Sequence, residues 1–95
     1  MKIILNNNKE LHIDNFNKIN NLSDIKELYL NFDNIKEIPN NLINLKKLII
    51  ENCKFLKYIP DTLINLEELK IDHCYNLKKN TKYINKFKIF IFNIL

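Results

Sequence analysis

Apolar residues recur along this chain on a spacing much longer than the period of a helix or a strand. Leu28, Leu48, Leu69 and Phe90 lie 20, 21 and 21 residues apart, and the same shift carries Leu30 to Ile50, Ile71 and Phe92. Ile38-Pro39 reappears as Ile59-Pro60, Leu42 as Leu63 and Ile84, and Leu45 as Leu66 and Phe87. Self-similarity of this length marks a chain built from successive supersecondary units, each too short to close a core alone. Merging their inward residues gives one shared core.

Within each unit the short-range pattern changes character. In Leu28-Tyr29-Leu30 and Leu48-Ile49-Ile50 the outer residues point one way and the middle one the other, as in a short strand. Ile38, Leu42 and Leu45 then follow at intervals of four and three, which suits an irregular or 3₁₀ return arm with its apolar side inward. Pro39 and Pro60 lack an N–H and are tolerated on such an arm, but not in a central strand. Before the first unit, Ile3-Ile4-Leu5 predicts a strand. Leu11-His12-Ile13 predicts its return strand, hairpinned through Asn6-Asn7-Asn8 to cap the N-terminal edge. Ile19, Leu22 and Ile25 would fill the inner side of this long first unit.

The stretch from Leu45 through Leu48, Ile50, Cys53, Leu56, Ile59-Pro60 and Leu63 to Leu66 follows the pattern LxxLxLxxN/CxxLxxIPxxLxxL almost position by position. It resembles the leucine-rich repeat family, in the short form that carries an Ile-Pro pair, and the likeness extends over about residues 22–92. The resemblance implies an α/β solenoid: a short right-handed superhelix with a parallel sheet on its concave face and irregular or 3₁₀ convex arms. The expected organisation is one domain over 1–95, with a divergent first repeat or cap at 1–24, regular repeats at 25–87 and a terminal edge strand at 88–95. Such repeats are similar to those of plant immune receptors and intracellular signalling scaffolds. They imply a non-enzymatic adaptor that binds a protein partner through the concave sheet.

Composition changes this picture little. The chain holds 18 Asn, 15 Lys and 17 Ile among 95 residues, and no Gly, Ala, Val, Arg, Gln or Trp. Those absent types share no chemistry. Gly, Ala, Val and Arg share GC-rich codons, so the bias is that of an AT-rich coding sequence, as in an AT-rich protist or a large DNA virus infecting one. Glycine phosphate loops, nucleophile elbows and arginine forks are excluded. Asn, which tolerates the left-handed backbone region, is expected to make the bends that Gly would otherwise make. At 46% hydrophobic and 27% charged the chain has a globular balance. The net charge of +4 invites an anionic partner, although lysine is also what an AT-rich genome supplies. No signal h-region or membrane-length apolar run is visible. Cys53 and Cys74 are then expected as free thiols in an intracellular, reducing compartment.

Chemistry-bearing constellations are sparse. His12 and His73 have no Ser, Cys or carboxylate at catalytic spacing, so no catalytic residue and no cofactor is expected. Cys53, His73 and Cys74 could hold a soft metal, but the Cys position suits a thiol that satisfies backbone groups in the bend after a strand, and no metal is assigned. The better candidates stand in columns across neighbouring strands: Glu27, Lys47, Glu68 and Ile89; Tyr29, Ile49, Lys70 and Ile91; Asn31, Glu51, Asp72 and Asn93. Tyr29, Phe32 and Ile49 form an outward apolar cluster of the kind found at binding hot spots. Tyr29, Phe32, Ile49, Glu51, Lys70, Asp72 and His73 are therefore the expected protein-binding residues. Ile89, Phe90, Ile91 and Phe92 would form an uncovered edge, open to a partner or a second copy of the chain. Nucleic acid is a weaker expectation: it needs a basic stripe with aromatics, and the lysines thicken only toward Lys78, Lys79, Lys82, Lys86 and Lys88. A truncated repeat fragment without independent function is the remaining alternative.

Overall fold

The computed structural model describes residues 1–78 and the backbone of 89–93. Among these residues six strands form one sheet: β1 (Lys2–Leu5), β2 (Glu10–His12), β3 (Ile25–Asn31), β4 (Lys47–Glu51), β5 (Glu68–Asp72) and β6 (Ile89–Asn93). Their order is β2-β1-β3-β4-β5-β6. From β3 onward the strands are parallel, with Leu28 beside Leu48, Leu48 beside Leu69 and Leu69 beside Phe90. β1 runs antiparallel to both β2 and β3. Its register with β3 slips between Ile4 and Leu5, where Lys26 and Glu27 stand consecutively between the buried Ile25 and Leu28. An extra residue in one strand of an antiparallel pair has this effect.

One face of the sheet is buried. Ile3, Leu28, Leu30, Leu48, Ile50, Leu69 and Ile71 supply its inward positions. They pack beneath a layer of turns and extended segments that contributes Ile38, Leu42, Leu45, Leu56, Ile59, Leu63 and Leu66. No helix covers this face among the described residues. The helical turns among the described residues are 3₁₀ segments at Phe16–Lys18 and Leu22–Asp24, capped by the side chains of Asn15 and Asn21. Backbone groups in such a layer need partners, and asparagine amides supply many. Asn44 Nδ2 donates to Ser23 O at 2.9 Å, Asn65 Nδ2 to Ile43 O at 2.6 Å and Asn76 Nδ2 to Lys54 O at 2.6 Å. Each bond ties one crossover to the one before it.

Among the described residues four carry a left-handed backbone: Asn8, Phe32, Asn52 and His73, with φ of 68°, 55°, 56° and 52°. The last three directly follow β3, β4 and β5, where the chain leaves the sheet for the loop layer. Asparagine thus makes only two of these bends. His73, of a type also enriched in this region, makes a third, and Phe32 adopts the same geometry with a bulky side chain poorly suited to it.

The leucine-rich-repeat superhelix is not what forms. The chain is a single small domain on one mixed sheet, with no curved concave surface and, among the described residues, no 3₁₀ arms between the parallel strands. The radius of gyration is 12.3 Å, matching the ~12.4 Å of a compact domain of this length. The physical reason lies in what a 20–21-residue recurrence determines. It makes the crossovers equal in length and keeps the inward faces of neighbouring parallel strands in register. It fixes neither the curvature of the sheet nor the direction of the first strand, and antiparallel β1 makes the sheet mixed.

Candidate functional site

The open face of the sheet carries the outward residues of each strand, and its charges are matched internally. Lys2 Nζ sits 4.2 Å from the centre of the Tyr29 ring and Lys47 Nζ 5.7 Å from it. Both lie within cation–π range. Tyr29 Oη donates to Glu27 Oε1 at 2.5 Å. Burial first, and then the neighbouring Glu27 carboxylate, raises the Tyr29 phenol above its ordinary 10.0. Contact with Tyr29 raises the Lys47 ammonium above 10.5. Lys47 also pairs with Glu68 at 3.7 Å, and Lys70 with Glu51 at 3.6 Å. Such exposed pairs contribute about 0–1 kcal/mol each, but they leave this face with few unmatched charges.

The expected site residues fall in two places. Tyr29, Ile49, Glu51, Lys70 and Asp72 share the open face, with Tyr29, Ile49 and Lys70 side by side in register. Phe32 and His73 occupy the left-handed bends at the strand ends. Phe32 is 73% exposed, whereas Tyr29 and Ile49 are half-buried. His73 Nδ1 lies 2.6 Å from Asp72 Oδ1, and its ring meets Tyr75 edge-on at 6.3 Å. Ile89, Phe90, Ile91 and Phe92 lie in β6, in backbone register with Glu68, Leu69, Lys70 and Ile71. Their side chains lie outside the described residues, as do Lys79, Lys82, Lys86 and Lys88. The expected adaptor surface, a concave sheet face, is absent. The outward face belongs to a small mixed sheet whose charges pair with one another.

Cys53 and Cys74 stand at equivalent positions after β4 and β5, both buried and unbridged. Each thiol donates to its own strand end, Cys53 Sγ to Glu51 O and Cys74 Sγ to Asp72 O, both at 3.3 Å. The neighbouring Cys74 thiol, and then burial, pushes the Cys53 thiol up. The neighbouring Cys53 thiol brings Cys74 down to about 7. Among the described residues no cluster of three His, Cys, Asp or Glu could hold a metal ion. No helix there is long and apolar enough to cross a membrane.

The loop side is different. Phe55, Tyr58, Ile64 and Tyr75 are large apolar residues left 49%, 53%, 70% and 58% exposed. The alternation Phe55-Leu56-Lys57-Tyr58-Ile59 explains two of them. Leu56 and Ile59 are buried, which turns Phe55, Lys57 and Tyr58 outward. Lys36, Glu37, Phe55, Lys57, Tyr58 and Asn76 line a groove of about 330 Å³. Tyr58 also walls two adjoining hollows, one reaching Phe16 and Pro39, the other Pro60 and Thr62. Lys36, Lys57 and Lys78 recur at 21-residue intervals on successive crossovers. Lys78 N donates to Lys57 O at 2.9 Å, so two of these positions sit side by side. None of the three ammonium groups has a carboxylate within 4 Å among the described residues.

Sequence reasoning missed this side because it followed the apolar column and read the lysines as scattered. The signal was present. The shift that aligns Ile38 with Ile59 also aligns Lys36 with Lys57. Comparison of the chain with protein-family models, with curated proteins and with solved structures finds no match.

Proposed function

We propose that this chain is a non-enzymatic binding protein that holds a segment of a protein partner in the loop-side groove around Tyr58. The observation that carries this reading is the exposed Phe55–Tyr58 pair within a 330 Å³ groove. Rigid aromatic side chains in a depression are the usual anchors of binding hot spots, and the groove lies within the size range of small binding clefts. Tyr58 is shared by three adjoining hollows, which suits an extended segment better than a compact small molecule. Two free buried cysteines support a reducing, intracellular setting.

Selection from a random 12-residue peptide display library on the folded protein tests the reading. Counter-selection uses the Phe55→Ser/Tyr58→Ser variant, whose fold is checked by circular dichroism. Enriched peptides should shift the amide resonances of residues 55–58, and Tyr58→Ala should weaken them by about 2 kcal/mol, roughly 30-fold. Peptides that bind the variant equally well, or no enrichment at all, would refute it.

A further inference from the structure

Lysines occur on both sides of the sheet but are treated differently on each. On the open face Lys2 covers the Tyr29 ring, Lys47 contacts Tyr29 and Glu68, and Lys70 contacts Glu51. On the loop side Lys36, Lys57 and Lys78 are exposed and meet no described carboxylate within 4 Å. The bond from Lys78 N to Lys57 O at 2.9 Å brings two crossovers together at these positions. Like charges on adjoining crossovers repel. An unpaired basic row of this kind contributes nothing to the fold and creates a local positive potential beside the aromatic groove.

From this juxtaposition we infer that the segment received by the groove is acidic: a protein segment carrying several Asp or Glu residues around an aromatic or aliphatic anchor. The inference rests on the groove reading above. The anchor packs on Phe55 and Tyr58, and the flanking carboxylates pair with Lys36, Lys57 and Lys78. Glu37 lines the same groove and decides between acidic ligands. A peptide can place a neutral or basic residue opposite Glu37. A continuous phosphodiester backbone carries a charge at every step and meets Glu37 with repulsion. The basic groups are lysines, point charges that suit single carboxylates as well as phosphates.

The test uses the peptides enriched by the display selection, their Asn/Gln counterparts, and a 12-nucleotide oligouridylate, measured by fluorescence anisotropy at two salt concentrations. The expected result is enrichment in Asp and Glu, with binding weakened about tenfold or more by Lys36→Gln/Lys57→Gln/Lys78→Gln and by raised salt. Enriched peptides that need Tyr58 but tolerate both charge changes would overturn the inference while leaving the groove reading intact. Failure to recover any Tyr58-dependent peptide would overturn both. Oligouridylate that binds more tightly than the peptides, through the same three lysines, would overturn the inference in favour of nucleic acid.

Discussion

Replacing Phe32 with asparagine should make the protein more stable, although it removes an aromatic ring. Phe32 has φ of 55° and is 73% exposed. A side chain with a Cβ held in the left-handed region costs about 1–2 kcal/mol, and asparagine is the residue besides glycine that bears this cost best. The exposed ring gives up only a few tens of Å² of contact, about 0.5 kcal/mol at ~25 cal/mol per Å². The backbone bond from Phe32 N to Glu51 O at 3.1 Å survives the change. The net gain is about 0.5–1 kcal/mol. With a urea slope of roughly 1 kcal/mol/M for a chain of this size, the midpoint should rise by about 0.5–1 M at constant slope. Phe32→Ala is the control, because alanine loses the ring but keeps the Cβ penalty; its midpoint should stay level or fall. The reverse change, Asn52→Phe at φ of 56°, should destabilise by about 1 kcal/mol. If Phe32→Asn lowers the midpoint as much as Phe32→Ala does, the bend is not strained as described.

Three further outcomes follow from the packing and the titrating groups. Leu48 is fully buried between β3 and β5, so Leu48→Ala should cost about 2–5 kcal/mol, a large share of a small domain's stability, and urea unfolding will read it. The folded state holds the Tyr29 and Lys47 protons more tightly than the unfolded chain, whose groups titrate near 10.0 and 10.5. Their contribution is therefore complete below pH ~10 and declines as pH rises beyond it; Tyr29→Phe should flatten the decline in urea midpoint between pH 8 and pH 11. Cys53 and Cys74 are buried, so a chromogenic disulfide reagent should titrate both thiols at once in denaturant and only slowly in the native protein. Rapid native reaction of either would show that the core is open there.

Local structure was more legible in the sequence than assembly. The alternation at Leu28-Tyr29-Leu30 and its equivalents placed strands, because side-chain period alone decides which residues face a core. The equal spacing placed their neighbours, because in-register parallel strands require equal crossovers. What the residues could not convey was the direction of β1. Ile3, Ile4 and Leu5 bury the same side of a strand whether it runs parallel or antiparallel to β3, and only the pairing of Lys2 with Tyr29 and Ile4 with Glu27 distinguishes the two. The same limit applies to curvature, which depends on how tightly the loop layer packs and not on which residues point inward.

The candidate site was less legible, for an electrostatic reason. Tyr29 reads as an exposed aromatic anchor until Lys2, 27 residues earlier, is found on its ring. Phe32 reads as a second anchor until its backbone conformation is seen. Lys36 and Lys57 look like ordinary solvated charges in a lysine-rich chain, and they become distinctive only because the lysines of the other face have partners.

That asymmetry is the centre of the account, and residue-resolved acetylation of the native protein at limiting reagent measures it most directly. Lys36, Lys57 and Lys78 should be modified several-fold faster than Lys2 and Lys47, as read by mass spectrometry. Equal rates on the two faces, or faster modification of Lys2 and Lys47, would contradict it.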